Sequence, residues 1–147
     1  MKIREVMSPH PVCCLPTDSA QRVARIMCER GIGSVPVVMD QDSRRLVGLI
    51  TDRDLCCSVV ADGLDPKTTT IEKFMTLNPV ICREEEDVEN CERLMQEHQI
   101  RRIPIVDAEG GVIGIVAQAD VALKDKSDRV SKTVAEISKP AEPSVAA

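Results

Sequence analysis

The chain has 147 residues, is 43% hydrophobic and 29% charged, and carries a net charge of −5, the size and make-up of about one globular domain. Its single aromatic residue is Phe74, with no Trp or Tyr, so it lacks stacking platforms for bases; no block is strongly basic either, and nucleic acid is not expected as the main partner. No stretch approaches the ~18 uninterrupted apolar residues of a membrane span, and the opening "MKIREVMSPH" has no apolar signal core, so no membrane association and a cytoplasmic location are expected.

In chain order, "VMSPHPVCC" at 6–14 introduces a short strand at Val12–Cys14. A helix follows, capped by Asp18 or Ser19, with Ala20, Val23, Ala24 and Met27 on one face and Gly31 placed to end it. Two apolar runs, "SVPVVM" and "RLVGLI", flank the polar turn DQDS and read as a hairpin. A second helix runs from Asp52 to about Ala61. The connector "DGLDPKTTTIEKF" carries turn signals at Gly63 and Pro66 and a short helical start near Thr70.

The same order then recurs. "FMTLNPVIC" at 74–82 repeats "VMSPHPVCC", placing Met75 on Met7, Pro79 on Pro11 and Val80 on Val12 at an offset of 68 residues. "MQEHQIRRIPIV" repeats "MCERGIGSVPVV" at that offset, so Pro104 falls on Pro36. "GIVAQADV" repeats "GLITDRDL" at an offset of 66, the difference falling in a turn, where insertions are tolerated. The second copy has a strand at Val80–Cys82, a helix capped by Asp87 with Val88, Cys91, Leu94 and Met95 on its apolar face, a hairpin through DAEG, and a helix from Gln118 to about Lys124. Glu92 replaces Ala24, so that helix edge is expected to be exposed. The repeats span 1–62 and 74–124, with a connector at 63–73. In 125–147, Val130, Val134 and Ile137 mark one amphipathic helix, and "KPAEPSVAA" is expected to be disordered. Each β-α-β-β-α copy is small for an independent fold, so the two are expected to share one core.

The seven cysteines (13, 14, 28, 56, 57, 82 and 91) include no C-x-x-C spacing and read as small buried hydrophobes of a reducing compartment. A metal site from His10, Cys13 and Cys14 is awkward, because adjacent strand side chains point to opposite faces. There is no phosphate-loop or nucleophile-elbow motif, and with two His the chain has few candidates for a general base. Thr51 and Asp54 have the spacing of a capping box.

Taken together, the paired openings, the "GIGSVPVV" and "QIRRIPIV" strands and the "GLITDRDL" and "GIVAQADV" closures resemble the CBS-domain pair, or Bateman module, over about residues 1–124. The chain looks most like small stand-alone bacterial two-CBS proteins, including those of the hypoxic-response type. The resemblance implies an α/β tandem pair about a pseudo-two-fold axis, commonly a homodimer, with two inter-repeat clefts that often bind AMP, ADP, ATP or S-adenosylmethionine. It implies a sensor that modulates a separate partner, and no catalyst and no required cofactor. Carried over residue by residue, Asp54 would hold the ribose hydroxyls and Thr51 its edge, with Arg101 and Arg102 on the phosphates and Val12, Cys13 and Pro36 around the adenine. Asp120, with Val80, Ser34 and Pro104, would form a weaker second site, because Ala117 stands where the first copy has Thr51 and Gly33 and Ser34 bring no charge. A ligand-free dimeric scaffold and a Cys-based metal or redox module are the alternatives.

Overall fold

The structure, a computed structural model, describes residues 1–124 and 129–139. A short helix α1 (Ile3–Val6) and strand β1 (Ser8–Pro9) precede helix α2 (Ala20–Arg30). Strands β2 (Ser34–Val38) and β3 (Leu46–Thr51) form the first hairpin, and helix α3 (Asp52–Leu55) continues as a π-helical turn over Cys56–Val60. A 3-10 turn at Ile71–Lys73 leads to β4 (Thr76–Leu77) and α4 (Val88–His98). The second hairpin is β5 (Arg102–Val106) with β6 (Val112–Ala117), followed by α5 (Gln118–Lys124) and α6 (Arg129–Ile137). The segment from 140 onward, expected to be disordered, lies outside the described residues.

The helix signals act as their chemistry requires. Ser19 caps α2 by accepting from Arg22 N–H at 3.1 Å, and Gly31 ends it in the left-handed region at φ 63°. Asp87 stands at the α4 N-cap but makes no side-chain cap bond; its carboxylate pairs with Lys2 Nζ at 2.9 Å. The strands expected at Val12–Cys14 and Val80–Cys82 shrink to single parallel bridges, Cys14 with Val37 and Cys82 with Ile105. The carbonyls of Pro36 and Pro104 accept from the N–H groups of Cys14 and Cys82 there.

The two sheets exchange their edges. One has the order β2-β3-β4 and the other β1-β6-β5. The N-terminal strand therefore completes the second repeat's sheet, pairing Ser8 with Ile115 and Pro9 with Gly114. The strand after the connector completes the first, pairing Gly48 with Leu77 and Leu49 with Thr76. The repeated Met and Gly positions explain how these edges close. A Cβ on Gly114 would lie 2.5 Å from Met7 Sδ, and one on Gly48 would lie 2.9 Å from both Met75 Sδ and the Thr76 carbonyl. Backbone crowds Gly48, so Gly48→Ala should pry β4 from β3 and cost about 1–3 kcal/mol in urea unfolding, against an unchanged stability if the edge is loosely held.

Apolar burial follows the same exchange. Ile3 and Val6 of α1 pack with Val88, Cys91, Met95, Ile103, Ile105 and Ile137 in the second repeat's cluster. Ile71 of the connector packs with Val23, Val35, Val37 and Ile50 in the first repeat's cluster. Between them lies a smaller cluster of Cys13, Val38, Val106 and Val112. The single shared core expected from sequence is thus two cores joined by a seam. The seam is closed by backbone as well, since Leu46 N–H donates to Gly110 O at 3.0 Å and Val112 N–H to Arg44 O at 2.8 Å.

One expectation fails. Glu92 is not on an exposed edge; it is 1% accessible. Helix α6 covers that edge, and Arg129 Nε lies 3.2 Å from Glu92 Oε2. A buried carboxylate requires a cationic or hydrogen-bonding partner, and the tail helix supplies it.

Candidate functional site

The last residue of each hairpin sets the site. At the end of β3, Thr51 Oγ1 accepts from Asp54 N–H at 3.2 Å and Asp54 Oδ2 accepts from Thr51 N–H at 2.9 Å. This is a complete capping box. At the end of β6 the hydroxyl is missing, yet half the box remains, with Asp120 Oδ2 accepting from Ala117 N–H at 2.8 Å. Each carboxylate is thereby oriented by its own backbone, and Asp120 Oδ1 takes no part in that bond.

A cleft of about 440 Å³ lies between the repeats at Asp120. The first repeat contributes His10, Pro11 and Val12 from the segment after β1, and Arg30 through Ser34 from the end of α2 and the start of β2. The second contributes Arg102, Ile115, Ala117, Ala119 and Asp120. Ser8 closes the rim through its pairing with Ile115. The lining is apolar at Val12, Ile32 and Ile115 and charged at Arg30, Arg102 and Asp120, two guanidinium groups and one carboxylate.

This grouping differs from the one expected. Val12 and Arg102, expected beside Asp54, line the cleft of Asp120 together with Ser34. The exchanged edges give the reason for Val12: β1 pairs with β6, which carries its segment to the second repeat's acid. Arg102 is the register partner of Ala117, so it stands across from the strand end that leads into Asp120. Asp120 therefore does not lack cations. Arg101 is exposed. Pro36 and Pro104 are buried within their strands, opposite Leu49 and Ile115. Val80 is half-buried against the second repeat's core. Sequence reasoning missed Arg30, Ile32, Ile115 and Ala119; Arg30 directly precedes the helix-ending Gly31, and that was the available signal.

Cys13 belongs to the seam. Arg44 Nη2 donates to its Sγ at 3.0 Å and to the Pro11 carbonyl. Burial pushes the Cys13 thiol above its usual range, against an opposing pull from Arg44. Burial likewise raises Cys14 from 9.0 to about 12, with the Asp18 charge adding to it. Cys91 is pushed up by its hydrogen bond with Cys82 and by burial. A thiol raised in the folded state stabilises fully below the unfolded value and loses that contribution as pH rises through the folded one. For Cys14 that window is pH 9.0 to about 12. Among the described residues no three His, Cys, Asp or Glu side chains group as metal ligands. All seven cysteines are free, with Cys28, Cys56 and Cys57 exposed and the other four buried. Ellman titration of the native protein at neutral pH should therefore show three fast thiols, and all seven only on unfolding; seven fast thiols would contradict this packing.

No helix among the described residues is long and apolar enough to cross a membrane. The CBS-domain family profile matches residues 3–60 and 71–125. Hypoxic response protein 1 of Mycobacterium tuberculosis is 33% identical over 119 residues, 81% of either chain. An uncharacterised protein of Methanopyrus kandleri is 36% identical over 82% of this chain, which spans 61% of that longer protein. Among solved structures, Hypoxic Response Protein I with two coordinated zinc ions superposes with TM-score 0.74 at 31% identity, covering 84% of this chain and 98% of that one. CBSX2 in complex with AMP gives 0.71 at 25%, covering 83% and 93%. The CBS domain pair of protein MJ0100, in complex with 5′-methylthioadenosine and S-adenosylmethionine, gives 0.74 at 28%, covering 84% and 94%. With both repeats matched in sequence and the paired fold matched in structure, this chain belongs to the CBS-domain family as a tandem pair.

Proposed function

We propose that this protein is a non-catalytic sensor that holds an adenosyl ligand in the cleft between its repeats and passes that occupancy to a partner, most simply as a homodimer. The observation that carries the reading is the cleft at Asp120, about 440 Å³ in volume and lined by one pre-oriented carboxylate, the apolar side chains of Val12 and Ile115, and Arg30 and Arg102. That volume suits a small ligand. The carboxylate accepts from a ribose diol, the apolar side chains take the base, and Arg30 and Arg102 take phosphate oxygens through charge-assisted bonds. Two structural relatives that hold adenosyl ligands support the class. The capping box at Asp54 offers an equivalent acid, and the position of Arg102 and Arg30 makes Asp120 the stronger side. Because residues from both repeats line the cleft, a ligand there favours one relative placement of the repeats, which is how binding becomes a signal.

The test is isothermal titration of the full chain with AMP, ADP, ATP and S-adenosylmethionine. Saturable heat with at least one of them is expected. A folded protein that gives none with any of the four is a scaffold and the reading fails.

A further inference from the structure

Helix α6 lies along α4, and side chains hold it there. Arg129 places Nη1 3.1 Å from Glu89 Oε1 and Nε 3.2 Å from Glu92 Oε2. One turn on, Gln96 Nε2 donates to Thr133 Oγ1 at 2.9 Å, and Thr133 is buried. A further turn on, Ile137 enters the second repeat's apolar cluster, with Val130 packed against it. At the end Gln99 Nε2 donates to the Lys139 carbonyl at 3.4 Å. Residues 129, 133 and 137 are spaced by four, so they form one face of α6.

That face meets the elements that carry the cleft. Gln99, at φ 51°, is the left-handed residue that ends α4. Beyond it β5 begins at Arg102, which lines the Asp120 cleft. Helix α5, with Asp120 in its first turn, also packs on α6. The two charged groups that the second repeat brings to the cleft thus stand on elements that α6 braces from the far side.

The bracing is of a kind that can let go. In the first repeat the connector is tied to α2 by backbone, with Ala20 N–H donating to Thr69 O at 2.8 Å and Gln21 N–H to Pro66 O at 3.0 Å. Among the described residues, α6 shares no backbone–backbone hydrogen bond with the rest of the protein. Its release would break no sheet and no other helix, which is the mark of a locally opening unit. Glu92 suits both states. It is paired under the docked helix, and with α6 lifted it would be a hydrated charge on the face of α4, where Ala24 stands in the first repeat.

We propose that α6 is a releasable strap whose docking on α4 and the occupancy of the Asp120 cleft reinforce each other, so that a bound ligand is read out as the position of α6. The inference rests on the reading that the cleft binds adenosyl ligands. The cleft has its described lining with α6 docked, so a ligand that fits this lining favours the docked state. By reciprocity, the factor by which ligand tightens docking is the factor by which release weakens ligand.

The test joins hydrogen exchange and calorimetric titration of the full chain, in the wild type, Arg129→Glu and Arg129→Lys. The ligands are AMP, ADP, ATP and S-adenosylmethionine, and the tightest of the four is used for exchange. Arg129→Glu sets like charge against Glu89 and Glu92, so exchange in α6 should rise while β2 and β3 keep their protection. The same variant should bind the ligand at least about fivefold more weakly, the lower end of usual coupling between sites. Saturating ligand should slow α6 exchange in the wild type by a similar factor, and Arg129→Lys should restore both properties. Gln96→Ala, which removes only the bond to Thr133, serves if Arg129→Glu does not fold, and its smaller release should weaken ligand in proportion. Unchanged α6 exchange in Arg129→Glu overturns the proposal, as does full affinity in a variant whose α6 is released. Ligand uptake that leaves α6 exchange unaltered in the wild type overturns this inference alone. A folded chain that takes up none of the four overturns the proposed function with it.

Discussion

Asp120→Ala should weaken binding of the tightest adenine nucleotide by about 10–100-fold, the value of one charge-assisted hydrogen-bond pair, while Asp54→Ala changes it by less than about threefold. The asymmetry comes from the cations. Arg30 and Arg102 line the Asp120 cleft, whereas the carboxylates themselves are held alike, each accepting its cap bond through one oxygen. Both variants lose a cap contact, so each will lose some stability, about 1 kcal/mol. Their binding constants must therefore be compared under conditions where both are folded. The opposite order, with Asp54 dominant, would return the site to the grouping that the repeat pattern implies and would show that the complete capping box is the better ribose grip.

Ile3→Ala should cost about 2–4 kcal/mol in urea unfolding, as large as any single truncation in the molecule. Ile3 lies far from the second repeat in sequence, yet it is fully buried in that repeat's cluster among Val88, Met95 and Ile137. Backbone ties it there too, through Ile3 N–H to Glu86 O at 2.9 Å and Val88 N–H to Met1 O at 2.9 Å. Hydrogen exchange should localise the loosening to α4, β5 and β6 and spare β2 and β3. Loosening confined to the first repeat would contradict the exchanged edges. A loss below about 0.5 kcal/mol would mean that α1 is only lightly docked.

These two results mark where the sequence is informative and where it is silent. The hairpins, the two long helices, the Gly31 stop and the capping box at Thr51 follow from local chemistry, and local chemistry is written in short windows of sequence. The repeat itself is legible because both copies need the same apolar faces. Edge exchange is not legible, because β1 and β4 have the same motif and would read identically if each stayed with its own hairpin. That ambiguity put Val12 beside Asp54 in the sequence-based grouping, whereas the fold places it in the lining of the Asp120 cleft. Glu92 fails for a related reason. A charge on an otherwise apolar stripe reads as an exposed edge, and the docking of α6, which brings Arg129 to the carboxylate, makes burial tolerable. Arg102 was singled out by its charge and its place ahead of a strand. Its seat over Gly33, in the wall of the Asp120 cleft, depends on the packing of one repeat against the other.

The side chains of Val60 and Leu123, 75% and 79% accessible, are exposed apolar groups on the helical segments that follow β3 and β6.

The most direct measurement is a crystal structure of the protein grown with saturating ADP. The account predicts the ribose on Asp120, the base over Val12 and Ile115, and the diphosphate on Arg102. Ordered ADP bound elsewhere, or a cleft that stays filled by the protein's own side chains at saturating ligand, would contradict it.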